Sequence, residues 1–440
     1  MSGRLFWEVL WDRFDPSRPP ERSGNRAPRA GGVVADILRD LGRPLGTPRI
    51  LLCGTGGCGK STELLRIGEG RSDDDLVVAF DLYGFFDTVA QDVSAMQRLT
   101  AWEVAFLVAL ALVHTGENLA GFAWDPKLLT GLGRAWKTLA ERVGESEPDI
   151  AALSRRVPIF MSAAVRGSGL DQAAAPSMVG SWPLPMGAGR ADLSPQDPRV
   201  RNLAGLLRRL VDSLRAVRPV LLLIDGLDHL ADEGRLRHLL FESGLLSDLP
   251  CGQVIVAPFA LRRGDVVRAV GRYTTYVQYN EAVLDPAAPA HHGPGIDFFS
   301  EVFRKQAGDL TDAPEDVLEE PLLRRIAYHS AGRLRDFTAT MRLLAERAWD
   351  EDVHVVSPTL VADVLDRQRR NLEAGLNHGQ IALLRGVVLD QTHSLPTDPD
   401  ALNLLHDGRL LAYGGDSEWY FPHTLLLLQR VRIRVSPPVG

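Results

Sequence analysis

The chain has 440 residues, of which 45% are hydrophobic and 24% are charged, a composition typical of soluble globular proteins with two or three domains. Its formal net charge of −7 argues against a protein that coats nucleic acid without specificity. The apolar stretch 104–113 is too short to span a bilayer, and Cys53, Cys58 and Cys251 lack the spacing of a zinc site or a disulfide framework, so we expect a cytoplasmic protein with no membrane partner.

The first predicted elements surround a glycine-rich loop. Residues 1–32 are expected to form an irregular lead-in, rich in Pro, Arg and Gly from residue 16 onward, and 33–41 a helix. The apolar run 48–53 predicts a buried strand, and 61–67 has the apolar spacing of a helix. Between them the sequence matches the phosphate-binding pattern G-x-x-x-x-G-K-[ST]. The residues expected to bind the nucleotide are Gly54, Thr55, Gly56, Gly57, Cys58, Gly59, Lys60, Ser61 and Thr62.

This pattern assigns chemistry to individual residues. Its backbone N–H groups point at one anion, and the following helix adds the positive end of its dipole. We expect Lys60 to reach the β- and γ-phosphates and Ser61 to hold Mg²⁺, which makes ATP and Mg²⁺ the predicted cofactors.

A second strand with a terminal carboxylate strengthens this prediction. The elements predicted next are a strand at 76–81, helices at 101–113 and 127–143, a flexible insertion at 164–199 and a helix at 199–217. The run 220–225 then predicts a buried strand, because it is apolar until it ends in Asp225. A carboxylate at the C-terminal end of a central strand suits a Mg²⁺ ligand. Gly226 then stands where many P-loop ATPases place a water-orienting Glu. Asp228 is the nearest other carboxylate, and its roles as base, as metal support or as a cap of the next turn all remain open.

The remaining pattern predicts an α/β fold with a parallel sheet, a helical lid and a C-terminal winged-helix-like domain. A helix near 236–246, a strand at 253–257, a helix near 265–270 and a strand at 274–278 complete a P-loop core over 33–285. A linker rich in Pro and His follows at 286–294, a helical lid at 295–370, and short helices with a Gly-rich hairpin at 375–440.

With these motifs, the chain resembles AAA+ and STAND-type P-loop ATPases over roughly residues 45–435. Residues 54–62 match their Walker A motif and 220–225 their Walker B motif, and 223–228 are similar to a form common in STAND ATPases and in bacterial ATPases of conflict or defence loci. The string 332–336 looks like the sensor-2 G-x-x-R of AAA+ lids, especially those of origin-recognition-like ATPases, which implies that Arg335 reaches the γ-phosphate. Arg272 looks like an arginine finger, with Arg262, Arg263 and Arg268 as competitors. An ordinary surface role remains open for Arg335 and Arg272.

Two departures from the AAA+ pattern bear on function. The strand 253–257 lacks a polar sensor-1 residue, and the Walker-B Glu is absent, so we expect binding of ATP with slow or partner-stimulated hydrolysis. The resemblance implies a regulatory ATPase that controls a protein partner or its own assembly, with antiviral defence as one setting and a homo-oligomer as one form.

The alternative is a DNA-associated ATPase of initiator or transposition-helper type. Acidic residues in the candidate winged helix favour a protein partner over DNA, while Arg430, Arg432 and Arg434 keep DNA open. A third hypothesis is a nucleotide-binding scaffold that never hydrolyses ATP.

Overall fold

The computed structural model describes residues 3–16, 26–29, 32–44, 46–142, 144–161, 182–230, 232–262, 272–311, 313–415 and 417–431. The α-helices, in chain order, are α1 Gly3–Arg13, α2 Val34–Leu41, α3 Lys60–Arg71, α4 Leu82–Gly84, α5 Val93–Met96, α6 Ala101–Glu117, α7 Pro126–Leu139, α8 Ile150–Ser154, α9 Pro198–Arg215, α10 Glu233–Arg237, α11 Gly295–Ala307, α12 Glu320–His329, α13 Leu334–Asp350, α14 Pro358–Glu373, α15 His378–Leu389 and α16 Asp400–His406. The strands are β1 Arg49–Gly54, β2 Leu76–Asp81, β3 Ile159–Met161, β4 Val220–Asp225, β5 Gly252–Pro258, β6 Thr274–Gln278, β7 Leu284–Asp285, β8 Ala288–His292, β9 Leu410–Tyr413 and β10 Trp419–Pro422. Short π-helical turns at Phe85–Val89 and His238–Glu242, and 3-10 turns at Leu227–His229, Phe259–Arg262, Pro314–Asp316 and Thr424–Leu428, complete the described elements.

The described residues fall into two compact units. One unit combines the described parts of Met1–Gly32 with Gly54–Thr62 and Gln278–Gly440, and the other consists of Val33–Cys53 and Glu63–Val277. The glycine-rich loop therefore groups with the two ends of the chain, and the strand that precedes it groups with the sheet.

The second unit contains a six-stranded sheet in the order β3-β2-β4-β5-β1-β6. Five of these strands are parallel and β3 is antiparallel to β2, which confirms the predicted α/β class with a parallel sheet. Every residue of β4 is buried, as expected for a central strand covered on both faces. Because the strands are parallel, the carboxyl ends of β1 and β4 lie at the same edge of the sheet.

One face of this sheet is covered by α6, whose sequence is apolar on all sides. Thr100 and Glu103 form a reciprocal capping box at its start, and nearly all of its side chains are buried. The helix α9 packs beside it and begins where Asp197 accepts a hydrogen bond from the N–H of Arg199.

The first unit is mainly helical. Its core joins α1 to α11, α12, α13 and α14, and α14 begins at Ser357, whose hydroxyl accepts from the N–H of Leu360. After α15 and α16, the strands β9 and β10 pair as an antiparallel hairpin with Trp419 opposite Tyr413. Two helices followed by a hairpin match the winged-helix-like arrangement expected from the sequence.

Four sequence predictions differ from the structure or lie at least partly outside the described residues. The predicted irregular lead-in did not anticipate α1, which forms between residues 3 and 13. The predicted linker contains the strand β8, which pairs with β7 just before it, because the carboxylate of Asp285 accepts from the N–H of Ala287 and closes a tight turn. The helix predicted at 265–270, and residues 164–181 of the predicted insertion, lie outside the described residues. Among the described residues, no helix combines the length and hydrophobicity needed to cross a bilayer.

Candidate functional site

The glycine-rich loop leads from β1 directly into α3, which begins at Lys60. Gly57 and Gly59 have φ angles of 82° and 99°, a region that residues with a Cβ rarely enter. The Lys60 ammonium is buried and donates to the carbonyl oxygens of Gly54 at 3.0 Å and Thr55 at 2.9 Å. The lysine therefore lies folded along the loop, at the N-terminus of the helix.

Three consecutive carbonyl groups of the loop are held by donors from elsewhere in the same unit. The guanidinium of Arg333 donates to Gly56 O through Nε at 3.1 Å and Nη2 at 2.8 Å. The backbone N–H of Arg335 donates to Gly57 O at 3.1 Å. Arg29 Nη2 donates to Cys58 O at 2.6 Å. We call these three donors the carbonyl clamps.

The clamps fix the direction of the N–H groups as well. In a planar trans peptide the carbonyl of one residue and the N–H of the next point in opposite directions. Each carbonyl of residues 56, 57 and 58 points at its clamp, so the N–H groups of residues 57, 58 and 59 each point away from the clamp of the preceding residue. Within the part of the chain that the structure describes, the N–H groups of Gly57 and Gly59 form no hydrogen bond. Together with the N–H groups at the start of α3 they are donors suited to an anion such as a phosphate.

The clamp residue Arg333 is itself held in place. Its side chain is 9% exposed, and its Nη1 donates to Asp336 Oδ2 at 2.8 Å. Asp336 Oδ2 also lies 3.1 Å from Nε2 of the buried His423. His423 Nδ1 accepts from the N–H of Leu425 at 3.2 Å, so the proton of the neutral ring is on Nε2, which donates to Asp336. Burial opposes the ionised form of Asp336, but the nearby Arg333 charge and the His423 hydrogen bond outweigh it and hold the pKa of this carboxyl below its usual range.

Arg29 is similarly constrained. Its side chain is 2% exposed, its Nε lies 3.2 Å from Glu281 Oε1, and its guanidinium stacks over the ring of Phe298. A cation this deeply buried needs such a partner, because an unpaired buried charge is strongly disfavoured. The loop therefore contacts two fixed guanidinium groups, those of Arg29 and Arg333.

The second unit contains the predicted Walker-B carboxylate at the end of β4. Asp225 is buried, and its Oδ1 accepts from the N–H of Gly226 at 2.8 Å. In the strand register it lies directly opposite Asp81, the last residue of β2. Asp81 accepts from the N–H of Gly84 at 2.9 Å, and burial, followed by the charge of Asp228, raises the pKa of Asp81. Two neighbouring strands thus end in carboxylates.

The structure also explains why Gly226 replaces the usual Glu. Its φ is 85°, and a Cβ built there would lie 2.5 Å from the backbone nitrogen of Tyr83 and 3.1 Å from Asp81 Oδ1. Backbone atoms cannot move aside as a flexible side chain would, so no larger residue fits without rearrangement. Asp228 lies in the 3-10 turn that follows and is half-buried, which leaves its predicted roles open.

The remaining predicted site residues are placed as follows. The side chain of Arg335 is exposed and, within the described part of the chain, forms no ion pair or hydrogen bond, while its backbone contacts the loop. Arg272 donates to Ser247 Oγ at 2.9 Å and pairs with Asp248. Its competitor Arg262 donates to Phe259 O, and Arg263 and Arg268 lie outside the described residues. The roles of Arg335 as a sensor and of Arg272 as a finger stay predictions.

Sequence reasoning missed three residues near these motifs. Arg333 lies inside the string 332–336 but only Arg335 was selected from it. Asp81 ends an apolar strand as Asp225 does, which was a usable signal. Arg29 lies in a segment expected to be irregular, and nothing in its local sequence indicates a contact with Cys58.

The residues present fit a nucleotide with Mg²⁺. The donor set of the loop suits phosphate oxygens, and the hydroxyl of Ser61 and the carboxylate of Asp225 are hard oxygen ligands of the kind Mg²⁺ prefers. Ser61 belongs to the first unit and Asp225 to the second.

Comparison with known proteins returns structural similarity only. No protein-family model matches the chain, and no curated protein is detectably related to it. Among solved structures it is similar to Cdc6p from Pyrobaculum aerophilum, with 16% identity, a TM-score of 0.42 and 96% of each chain covered. It is also similar to the Aeropyrum pernix ORC2 protein solved in ADPNP-ADP complexes (13% identity, TM-score 0.39, 92% of each chain). A third is Drosophila ORC bound to DNA (12% identity, TM-score 0.38, 97% of this chain and 92% of that one).

Proposed function

We propose that this chain binds ATP with Mg²⁺ at the glycine-rich loop and acts as a regulatory ATPase with slow hydrolysis. The observation that supports this most directly is the loop itself. Its N–H groups at Gly57 and Gly59 point away from the carbonyl clamps and stand at the N-terminus of α3, in a sequence that matches the P-loop pattern in full.

In this proposal Lys60 neutralises the β- and γ-phosphates and Ser61 binds Mg²⁺. Asp225 is the second proposed Mg²⁺ ligand, because its strand and β1 end at the same edge of the sheet. When bound, Mg²⁺ would neutralise charge between the phosphates. The residues of the chain provide the anion cradle and hold the nucleotide in place.

Slow turnover follows from the end of β4. The position after Asp225 has no room for a side chain, so no Glu there orients an attacking water. We propose that nucleotide state, rather than rapid turnover, is the output. It would be read by a protein partner or by other copies of the chain, with bacterial defence as one setting.

Calorimetry with ATP·Mg on the parent and on Lys60→Ala tests the binding site. Removing the ammonium should weaken binding strongly, because one charge-assisted contact contributes roughly 1.5–3 kcal/mol, or about 10- to 150-fold in Kd. Lys127→Ala is the matched control, since Lys127 is exposed at the start of α7 in the other unit. Equal affinity of the Lys60→Ala variant and the parent would show that the nucleotide site is elsewhere or absent.

Phosphate release in the presence of Mg²⁺ tests the second half of the proposal. The purified protein without a partner should turn over far more slowly than the roughly 1–100 per second typical of kinases. Turnover within that range would contradict the regulatory assignment while leaving the binding site intact.

A further inference from the structure

We infer that Arg333 is a positioning residue for the nucleotide phosphates, acting through the peptide between Gly56 and Gly57 and not by contact with the nucleotide. This inference rests on the proposed function and adds to it a residue, a mode of action and a dependence on the C-terminal part of the chain.

The geometry of the Arg333 clamp fixes the orientation of one peptide of the loop. Two nitrogens of one planar guanidinium, Nε and Nη2, converge on a single oxygen, Gly56 O, at 3.1 and 2.8 Å. A fork of this kind fixes direction as well as distance, which a lysine ammonium cannot do because its three donors rotate freely. The orientation of the 56–57 peptide, and hence of the Gly57 N–H, is set by Arg333.

The orientation of the Arg333 guanidinium is fixed by the C-terminal part of the chain. Its third nitrogen, Nη1, binds Asp336, which accepts from His423 on the far side. A side chain at Gly408 would collide with the Arg333 guanidinium, so the turn before β9 packs directly against it. Asp336, His423 and Gly408 together leave the guanidinium one orientation, the one that meets the loop.

Arg333 and Arg335, the residue selected from the sequence, should act on different phosphates. Arg335 exposes its guanidinium and is the candidate for a γ-phosphate contact, which only ATP offers. The backbone N–H groups of a P-loop cradle the α- and β-phosphates, which ATP and ADP share. Replacing Arg333 should therefore weaken the binding of ATP and of ADP by the same factor. Replacing Arg335 should weaken the binding of ATP alone.

The experiment measures Kd for ATP·Mg and ADP·Mg by calorimetry on the full chain. Arg333→Lys keeps the charge but loses the fork, and we expect both nucleotides to bind about tenfold more weakly or worse, the cost of one misdirected hydrogen bond to a charged group. Arg347→Lys, at an exposed position on α13, the helix that Arg333 precedes, is the matched control with expected parental affinities. Arg335→Ala should raise the Kd for ATP and leave the Kd for ADP unchanged.

Asp336→Asn is the second variant, and it decides the matter if Arg333→Lys unfolds at the assay temperature. The amide has nearly the shape of the carboxylate but weakens the ion pair with Arg333, so the binding of ATP and of ADP should again weaken by the same factor. Removing one partner of a buried pair also lowers stability, so the affinities are compared at a temperature at which the melting curve shows this variant folded. Parental affinities in both variants, with binding lost in Lys60→Ala, would overturn the inference and leave the proposed function standing. A loss confined to ATP would also overturn it, because that result assigns Arg333 a γ-phosphate contact. Unaltered binding in Lys60→Ala would instead mean that the proposed function has failed.

Discussion

Replacing Gly226 by Ala should destabilise the carboxyl edge of the sheet, and the structure sets the size of the effect. A non-glycine residue in the left-handed region costs about 1–2 kcal/mol. The added Cβ would also lie 2.5 Å from Tyr83 N, far inside the roughly 3.5 Å at which non-bonded heavy atoms meet, and overpacking of this kind costs about 1–3 kcal/mol. The expected loss is about 2–5 kcal/mol.

Hydrogen exchange is the appropriate assay, because a chain with two compact units need not unfold in a single step. A loss of about 2–5 kcal/mol should speed the exchange of protected amides in β2 and β4 by roughly 30- to 5,000-fold, since each 1.36 kcal/mol is a factor of ten. Gly205→Ala is the control. Gly205 lies exposed within α9 with no atom near its added Cβ, so Ala there should stabilise the helix by about 1 kcal/mol. Unchanged exchange in β4 of the Gly226→Ala protein would refute the argument that this position excludes a side chain.

The other predictions concern hydrolysis, pH, assembly and DNA. Asp225→Asn should abolish measurable phosphate release by weakening Mg²⁺ binding, as checked in a phosphate-release assay over a range of Mg²⁺ concentrations. Burial, and then neighbouring positive charges, lower the pKa of His329 from 6.5 to about 3. The unfolded chain therefore takes up this proton first, and the free energy of unfolding of the helical unit should fall as the pH drops from 6.5 toward 3. Free energies from hydrogen exchange of protected amides in α12 should show this fall, and His329→Asn should show a shallower fall than the parent. If Arg272 is a finger, mass photometry should show that the parent assembles with an ATP analogue and that Arg272→Ala does not. Replacing Asp248 removes its pair with Arg272 but keeps the arginine, so that variant should still assemble. A salt-dependent gel shift of duplex DNA by the purified chain would favour the DNA-associated alternative over a protein partner.

Local sequence carried most of the information about the sheet. The run 220–225 is apolar at every position before Asp225, and the strand found there is buried throughout, because a central parallel strand leaves no face for polar residues. The strand 274–278 and the hairpin near the C-terminus were likewise readable from alternation and turn residues.

The environment of the loop could not be read in the same way. The contact of Arg333 with Gly56 spans 277 residues, and that of Arg29 with Cys58 comes from a segment with no periodic pattern. No spacing rule connects such positions, since the contacts exist only once the helical unit has folded. The same holds for Gly226, whose need to be glycine comes from Tyr83, in the short helix α4 after β2, and not from its neighbours in sequence.

The placement of the clamps has a consequence for biosynthesis. The loop at 54–62 leaves the ribosome early, but the two donors at 333 and 335 are translated long after it, at a few residues per second to about twenty. A nascent chain that has completed the sheet strands therefore still lacks the groups that orient the peptides of the loop. Full affinity for nucleotide should arise only after the last third of the chain has emerged and packed, so a translation intermediate should bind ATP more weakly than the complete chain until that point.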